Sequence, residues 1–351
     1  MRRTRGKARV LASVTIMGAG IFGLSCAWEM ARRGARVHVI EARRIGAGSS
    51  GGHVGALAPH APENWNRKKQ FQLDSLLMAD DFWRAVETAS GRCAGFARTG
   101  RVQPLAEGAA ELLEARLDAS AIRWPAAMAM RITQAPATSL IPDSPSGLWL
   151  EDGLSARLNP RAALQALAHA IRASGGRISE GTSVRPQTGP ILWATGAEGL
   201  AHLSQALDRP VGKGVKGQSV LLGHAAPEAA QIFADGLHVV PQADGTTAVG
   251  STTENDFTHP DPDDRCDGLV VRARAICPGL RDAPILECWA GIRPRAGSRA
   301  PLLGAWPGRS GHYVANGGFK IGFGMAPMIA RVMARLILDG RDEVPPDFRL
   351  I

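Results

Sequence analysis

The feature that most constrains this 351-residue chain is a glycine-rich turn between a short apolar strand and a helix. Ser13–Met17 is apolar and β-branched, as in a strand that is buried on both faces. The run Gly18-Ala-Gly-Ile-Phe-Gly23 follows, and apolar residues then recur at helical spacing until Gly34, which ends the helix. Arg36–Ile40 has the pattern of the next strand. A strand, a helix and a strand in so short a span predict a parallel βαβ unit.

The spacing of these glycines is typical of a turn that binds the phosphates of a dinucleotide. Gly18 permits the tight turn, Gly20 lets the backbone approach a pyrophosphate, and Gly23 allows the helix to pack closely on the strand. The helix N-terminus near Ile21 presents free N–H groups to the phosphates. Glu41 lies 21 residues after Gly20, close to the ~20 expected for the acid that binds a ribose 2′-hydroxyl. Its carboxylate would repel a 2′-phosphate, so the motif predicts FAD or NAD rather than NADP; the alternative is a turn without a ligand.

The rest of the pattern predicts an α/β chain in which parallel and antiparallel segments alternate. Helical spacing occurs over residues 69–86, 159–175, 269–275 and 326–338, and strand patterns occur over 101–105, 147–151, 191–196, 218–222, 237–241, 246–251, 286–289 and 312–315, with a small-residue turn ending the segment 191–196. Mononucleotide-type elements lie at both ends and in the middle, which predicts two discontinuous domains. We assign residues 1–62, 155–212 and 290–351 to the cofactor-binding domain, and residues 63–154 and 213–289 to the substrate-binding domain.

Composition narrows the class of protein without choosing a ligand. The net charge of +9 comes mostly from arginine, because lysine occurs only at positions 7, 68, 69, 213, 216 and 320. This balance favours an anionic partner such as a dinucleotide, a carboxylate substrate or RNA. The five cysteines are far apart and form no C-x-x-C pair, so we expect neither a disulfide framework nor a metal site. No run approaches the ~20 apolar residues of a membrane span, so we expect a soluble, cytoplasmic protein.

Five further segments resemble the FAD-dependent D-amino-acid oxidase superfamily, and glycine oxidases in particular. These are Gly46-Ala-Gly-Ser-Ser-Gly-Gly-His-Val-Gly55, similar to the flavin loop; Pro210–Gln218, similar to the start of the substrate domain; Val239–Gly245 with Val249–Glu254, similar to the strands over the active site; Trp289–Pro294, similar to the Trp-x-Gly-Leu-Arg-Pro signature; and Asn316–Pro327, similar to the C-terminal flavin loop. Their order along the chain is more specific than any single motif.

The resemblance implies a Rossmann-like FAD-binding domain of the glutathione-reductase type beside a mixed, largely antiparallel sheet of the substrate domain. It implies FAD as the cofactor, and we expect it to be held without a covalent bond. The residues expected to contact FAD are Gly18, Ala19, Gly20, Ile21, Phe22, Gly23, Glu41, Ala42, Arg43, Ser49, Ser50, Gly51, His53, Val54, Gly55, Thr195, Gly196, Gly317, Gly318, Phe319, Lys320 and Ile321.

The resemblance also implies which residues meet the substrate. Amino-acid oxidation by a flavin needs the substrate carbon near flavin N5 and an anchor for the carboxylate, which is mainly positioning and electrostatics. A guanidinium suits bidentate carboxylate binding, and the resemblance gives this role to Arg293, with Arg295 as a second candidate. Lys320 matches the sarcosine-oxidase version of the C-terminal loop, where a lysine meets the substrate carboxylate and the flavin.

Four positions bear on how far the resemblance extends. His238 stands where the family's active-site tyrosine is expected, and a histidine can still donate a hydrogen bond. His53 lies in the loop where some relatives attach flavin to a histidine; we expect no such bond here. Residues 181–190 form a shorter segment than usual, which predicts that a three-stranded meander is missing. Residues 246–249 lack the lysine that activates oxygen in sarcosine oxidases, so oxygen or another molecule is the electron acceptor.

We therefore expect a flavin-dependent oxidoreductase acting on glycine, a D-amino acid or an N-methyl amino acid, with Arg293, Lys320 and His238 as its catalytic residues. One alternative is the flavin domain that oxidises the carboxymethylaminomethyl group of a tRNA wobble uridine, which would give the basic charge a purpose. Another alternative is a flavin-binding protein that has lost turnover, as the missing tyrosine would suggest.

Overall fold

The computed structural model describes residues 12–185 and 189–350, and its first elements form the expected βαβ unit. The helices are α1 (Ile21–Arg32), α2 (Arg67–Ser90), α3 (Glu114–Arg123), α4 (Pro160–Ala173), α5 (Gly196–Ala206), α6 (Arg265–Ile276) and α7 (Gly322–Asp339). The first eight strands are β1 (Ser13–Met17), β2 (Arg36–Ile40), β3 (Ala56–Leu57), β4 (Arg101–Pro104), β5 (Arg131–Thr133), β6 (Trp149–Asp152), β7 (Ala156–Arg157) and β8 (Arg177–Ser179). The remaining strands are β9 (Ile191–Trp193), β10 (Gly212–Leu222), β11 (Gln231–Ala234), β12 (Leu237–Pro241), β13 (Thr247–Gly250), β14 (Ile285–Ala296), β15 (Leu302–Ala305) and β16 (His312–Asn316).

Two large sheets organise the chain. The six-stranded sheet has the order β15-β16-β9-β1-β2-β8, and all its pairs are parallel except β15 with β16. The eight-stranded sheet has the order β14-β10-β13-β12-β11-β4-β6-β5, and all its pairs are antiparallel except β4 with β11. A parallel nucleotide-type sheet beside a mixed, largely antiparallel one confirms the predicted fold class.

The helix that follows the glycine turn is buried on all its faces. Residues 21–31 of α1 are all buried, since α1 packs on α4 and on α7 as well as on the sheet. A helix that is apolar all round belongs in the interior. Full burial of a side chain such as Leu24 contributes roughly 1.5–3 kcal/mol, so this packing holds the glycine turn rigidly at the helix N-terminus.

The strands of the two sheets come from alternating parts of the chain. The six-stranded sheet takes its strands from residues 13–40, 177–193 and 302–316, and the eight-stranded sheet takes them from residues 101–152 and 212–296. β14 runs past the predicted boundary at residue 290, because Gly291 and Pro294 lie inside one continuous strand. Proline is tolerated there since β14 is an edge strand. The division into two domains stays a prediction.

Several elements lack a sequence signal. β8 has three residues of mixed polarity and supplies the third nucleotide-type strand beside β2. No strand occurs between β8 and β9 over residues 180–185 and 189–190, and the rest of the segment predicted to lack a meander lies outside the described residues. In the part of the chain that the structure covers, no helix combines the length and apolarity of a membrane span.

Candidate active site

A cavity of about 760 Å³ opens at the carboxyl ends of the parallel strands. Met17, Ile40 and Trp193, the last residues of β1, β2 and β9, line one side of it. The crevice outside the carboxyl ends of such strands is the usual ligand site of open α/β sheets, and its volume lies in the range of cofactor pockets. From there the cavity continues to His238 and Lys320, beside the antiparallel sheet.

Gly18 turns the chain from β1 into α1 in a way that a larger residue cannot. Its φ is +104°, and a Cβ added there would lie 2.4 Å from the carbonyl oxygen of Ala194. The Gly18 amide donates to the carbonyl of Ile40 at 2.8 Å, which ties the turn to the end of β2. The turn therefore lies directly against two strand ends, with bare backbone facing the cavity.

The second glycine-rich loop closes over the N-terminus of α1. The Ser50 hydroxyl, in a short 3₁₀ turn over Ser49–Gly51, accepts a hydrogen bond from the Ile21 amide at 3.1 Å. A helix N-terminus leaves its first amides without partners inside the helix and carries a partial positive charge. Ser50, Ile21 and Gly20 all line the cavity, so the N-terminus of α1 is suited to bind a pyrophosphate.

The Glu41 side chain lies beside the glycine turn and also lines the cavity. One carboxylate oxygen accepts from the Ala19 amide at 2.8 Å, and the other accepts from the Arg43 amide at 3.0 Å. These two bonds fix the carboxylate beside the glycine turn while it lines the cavity. An acid in this position can accept hydrogen bonds from ribose hydroxyls. The turn, the helix end and the acid together fit the adenosine and pyrophosphate parts of a dinucleotide.

Most of the residues expected to contact the cofactor line this cavity. They are Gly18, Gly20, Ile21, Phe22, Glu41, Ala42, Arg43, Ser49, Ser50, Val54, Thr195, Gly196, Gly318, Phe319 and Lys320. Ala19, Gly23, Gly51, His53, Gly55, Gly317 and Ile321 lie beside it without lining it. Lining residues missed from the sequence include Thr182, Ser183, Arg185, Glu198, Asn316 and Phe323. The residues at 182–185 carry no motif, and only their position after the short third strand could have indicated them.

Arg293 lies on β14 of the eight-stranded sheet and lines the cavity. The residue is only 9% exposed, and its Nη1 donates to the carbonyl of Thr252 at 3.0 Å. Burial lowers the pKa of Arg293 to about 10, and Glu254 acts in the opposite direction, so the guanidinium stays charged at neutral pH. Within residues 12–185 and 189–350, no carboxylate lies at ion-pair distance from it.

Gly217 makes room for this guanidinium. Gly217 lies on β10, the neighbour of β14, and a Cβ there would lie 1.9 Å from Nη1 of Arg293. The arginine therefore lies across the bare backbone of the neighbouring strand. Any larger residue in place of Gly217 would displace the Arg293 guanidinium.

The carbonyl that accepts from Arg293 is itself held by an ionic network. Thr252 donates its amide to the Gln218 carbonyl at 3.2 Å and accepts from the Gln218 amide through its hydroxyl at 2.8 Å. Buried Lys216 pairs with Asp263 at 2.8 Å, and the Gln218 side chain donates to Glu254 at 3.1 Å and to Asp263 at 2.6 Å. The Val-Lys-Gly-Gln segment thus positions the partner of Arg293, a role that its sequence alone did not indicate.

Lys320 also lines the cavity, and it lies close enough to Arg293 for the two positive charges to interact. Phe319, the residue before it, has φ +43° and donates its amide to the Pro294 carbonyl at 3.0 Å, which ties the loop to β14. Desolvation and the nearby charge of Arg293 both lower the pKa of Lys320. Lys320 is more exposed than Arg293, and no acid in the described ranges pairs with it. Arg295 stacks near Phe319 and does not line the cavity.

His238 lies on β12, where the sequence predicted it in place of a tyrosine. Its ring packs against Phe233 with centroids 4.6 Å apart. Desolvation lowers the pKa of His238 to about 3, with further lowering by Arg101 and Lys320. The ring is therefore neutral over the physiological range. Its buried Nδ1 finds no hydrogen-bond partner in the described chain, so one ring nitrogen is free for a ligand.

The His53 ring is directed away from the cavity. Its Nδ1 lies 3.2 Å from the Ser219 hydroxyl, and its Nε2 lies 3.4 Å from a carboxylate oxygen of Glu287. The residues on either side, Gly52 and Val54, line the cavity, whereas His53 does not.

Known proteins resemble the chain over nearly its whole length. A family model described as FAD dependent oxidoreductase (DAO) matches residues 13–336. A glycine oxidase of Bacillus licheniformis is 24% identical over 359 aligned positions, which cover 92% of each chain. The structure of glycine oxidase from Geobacillus kaustophilus has a TM-score of 0.84 at 22% identity, with 96% of this chain and 98% of that chain covered. Iminodiacetate oxidase from Chelativorans sp. BNC1 has a TM-score of 0.80 at 23% identity, with 96% and 98% covered.

The family match and the geometry lead to the same cofactor. The cavity begins at a glycine turn with an acid beside it, and it ends among basic and polar side chains of the second sheet. The resemblance inferred from the five sequence segments is confirmed, and FAD is the cofactor. The chain belongs to the DAO family of FAD-dependent oxidoreductases, with glycine oxidases among its relatives.

Proposed function

We propose that this protein oxidises the amine-bearing carbon of a small amino acid, namely glycine, a D-amino acid or an N-methyl amino acid. The observation that supports this most directly is the Arg293 guanidinium, which is buried in the cavity wall and bonded to one carbonyl. A buried charge without a counter-ion is costly, so a site built around it favours an anionic ligand. A carboxylate matches the planar fork of a guanidinium.

The residues at this end divide the work of holding such a substrate. Arg293 binds the two carboxylate oxygens, and Lys320 adds a second positive charge beside them. Holding both oxygens restricts the rotation of the substrate, which lowers the entropy cost of reaching the reactive arrangement. His238 is neutral and offers a ring nitrogen for a hydrogen bond without adding a third charge. FAD held in this cavity would supply the hydride acceptor for the oxidation of the substrate carbon to an imine, which water would then hydrolyse.

The residues at the other end would hold the cofactor without a covalent bond. Gly18, Gly20 and the amides at the start of α1 suit the pyrophosphate, and Glu41 suits the ribose. The ring of His53, in the glycine-rich loop, faces Ser219 and Glu287 rather than the cavity. The electron acceptor is oxygen or another molecule.

The named activities of similar proteins agree with this substrate class. The relatives from Bacillus licheniformis and Geobacillus kaustophilus are glycine oxidases, and the structure from Chelativorans is an iminodiacetate oxidase. All three names describe the oxidation of an amine that carries a carboxylate.

The test is anaerobic mixing of the purified flavoprotein with a panel of glycine, sarcosine, and D- and L-amino acids while the visible flavin absorbance is followed. We expect bleaching by at least one small amino acid. Arg293→Ala should raise the substrate concentration for half-maximal bleaching by roughly 10²-fold or more, since truncating one partner of a buried charge pair costs about 2–5 kcal/mol. Arg295→Ala is the matched control, because Arg295 lies two residues away on β14 and does not line the cavity.

Two results would overturn the proposal. One is a flavin that no amino acid bleaches, and tight tRNA binding that weakens steeply with salt would then favour the alternative of a tRNA-modifying flavin domain. The other is an Arg293→Ala variant that binds substrate as well as the wild type does. A yellow protein that no amine reduces and that binds no tRNA would favour the remaining alternative, a flavin-binding protein that has lost its catalytic activity.

A further inference from the structure

A second cavity of about 300 Å³ adjoins the substrate end of the first. Ala56, Phe233, His238 and Lys320 line both cavities, so these residues form the border between them. The glycine turn and Arg293 line only the larger cavity. The second cavity is therefore an extension of the substrate end, and neither the proposed carboxylate anchor nor the cofactor site accounts for it.

Arg101 is the most buried charged residue in the wall of this extension. Its side chain is 8% exposed, and its Nε donates to Asp152 at 2.9 Å. The two residues face each other on the antiparallel strands β4 and β6, and the Asp152 side chain is fully buried. This ion pair holds Arg101 through Nε only. Its two Nη groups donate to no acceptor in the described ranges, although the side chain lines the cavity.

The other polar side chains of the extension are also suited to an anion. Arg116 of α3 pairs with Glu63 behind it, while Lys320 has no acidic partner within the described residues. Gln103, which follows Arg101 by two residues on β4 and lies on the same face, also lines the extension. No aspartate or glutamate of the described chain lines this cavity. Its walls therefore carry positive charge and hydrogen-bond donors, with the compensating carboxylates placed behind them.

We propose that this extension binds a second carboxylate of the substrate on the free Nη groups of Arg101. The preferred substrates are then amines with two carboxylates, such as an acidic D-amino acid or an N-carboxymethyl amine. This inference rests on the proposed function, because it assumes that the first carboxylate lies on Arg293.

The alternative substrates leave the extension poorly matched. Glycine would not reach into it, and an apolar side chain would cover the free Nη groups without bonding them. Covering a charged donor without giving it an acceptor carries the full cost of its desolvation. A second carboxylate gives the fork its bidentate partner and leaves no buried donor unpaired.

The first experiment measures binding alone, so that it does not depend on turnover. Malonate, succinate and glutarate have no amine to oxidise, and each has a mono-amide of nearly the same shape. Titration calorimetry of the holoenzyme compares each dicarboxylate with its mono-amide. We expect at least one dicarboxylate to bind tenfold or more tightly than its mono-amide at low salt.

Two variants test whether the preference comes from the extension. Arg101→Lys keeps a positive charge beside Asp152 and removes the fork, and Gln103→Glu places a carboxylate in the wall without breaking the ion pair. Both should reduce the preference for the dicarboxylate over its mono-amide to less than threefold. Arg131→Lys is the matched control, because Arg131 pairs with Glu151 on the neighbouring strand and lines neither cavity.

The second experiment compares flavin bleaching by D-aspartate and D-asparagine. We expect the acid to react at least tenfold more efficiently than the amide. Equal binding of dicarboxylates and mono-amides, or a preference that survives both Arg101→Lys and Gln103→Glu, would overturn the inference. If monocarboxylic amino acids bleach the flavin in that case, the proposed function stands without the extension. If the dicarboxylate preference is found and no amine bleaches the flavin, the proposed function fails and the anion site remains.

Discussion

The two ends of the large cavity are built in different ways. The centre of the cofactor end is backbone from one stretch of chain, where Gly18, Gly20 and the start of α1 lie within a few residues of each other, and the side chains of Glu41 and Ser50 border it. The substrate end is made of side chains from separate strands and loops, with His238 on β12, Arg293 on β14 and Lys320 in a later loop. Backbone sites depend on the absence of side chains, whereas side-chain sites depend on which residues are present.

This difference determines how each end responds to substitution. At the cofactor end, we expect a methyl group at a position such as Gly18 to weaken both the ligand site and the local fold, because it would clash with the Ala194 carbonyl. At the substrate end, a change alters which ligand binds while the cofactor stays in place. A conserved chemistry with a variable substrate is the expected result of such an arrangement. The predictions below test this division.

Gly18→Ala should have the largest effect. The added Cβ would lie 2.4 Å from the Ala194 carbonyl, and φ of +104° is strained for alanine, so the cost is more than about 3 kcal/mol. We expect at least tenfold less FAD per chain, measured by absorbance after denaturation. Gly268→Ala is the control, because a Cβ there meets nothing within 4 Å. Full FAD content in Gly18→Ala would contradict the role of the turn.

Gly217→Ala should impair the substrate end of the cavity without affecting FAD binding at the cofactor end. Its Cβ would lie 1.9 Å from Nη1 of Arg293 and displace the guanidinium from its place over β10. We expect kcat/KM to fall by roughly 10–10²-fold, about 1.4–2.8 kcal/mol, while the FAD content stays at the wild-type level. Steady-state kinetics together with FAD content decides the matter. Loss of FAD in this variant would show that the two ends are not independent.

Lys320 should make carboxylate binding weaken on the alkaline side. Its folded pKa is lowered by desolvation and by Arg293, so its positive charge is present at neutral pH and is lost as pH rises through a value below that of a free lysine. The Kd of an amine-free carboxylate such as glycolate should therefore rise about three- to tenfold over this range. Below the pKa of Arg293, which is about 10, Lys320→Arg should abolish the rise, and Lys320→Gln should give weaker binding that no longer changes with pH. An unchanged alkaline limb in Lys320→Gln would assign it to another group.

His53 should have the smallest effect on the flavin. Because its ring faces Ser219 and Glu287, acid precipitation should leave a colourless pellet and a yellow supernatant. His53→Gln should bind as much FAD as the wild type does. A pellet that keeps its flavin in the wild type and loses it in the variant would mean that the ring turns toward the cofactor.

The sequence predicted most of what depends on local pattern. The βαβ unit, the strands at 237–241 and 246–251 and the helix within 159–175 were all predicted, because period, caps and turn residues act over a few positions. It missed β8 and β11, whose three and four residues show little alternation and owe their conformation to a neighbouring strand. It also placed the start of α7 four residues too late, since glycines at 322 and 324 disguise the first turn.

The candidate site follows the same rule. The glycine turn and Glu41 could be recognised because their spacing in sequence is their spacing in the site. Arg101 could not, because its importance comes from Asp152 opposite it and from a cavity formed with α3. Residues that meet only through the tertiary fold leave no periodic or motif signal. Resemblance to a family predicts them only where the family uses the same residues.

The close fit of Arg293 over Gly217 couples two positions that are 76 residues apart in the sequence. A methyl group on Gly217 matters only while a guanidinium occupies the adjacent space, so the free-energy effects of Gly217→Ala and Arg293→Ala are not additive. A lineage that gave up its acidic ligand would have to lose the arginine first. The bare backbone would then be free to acquire a side chain, and the return to a carboxylate would require both steps in reverse order.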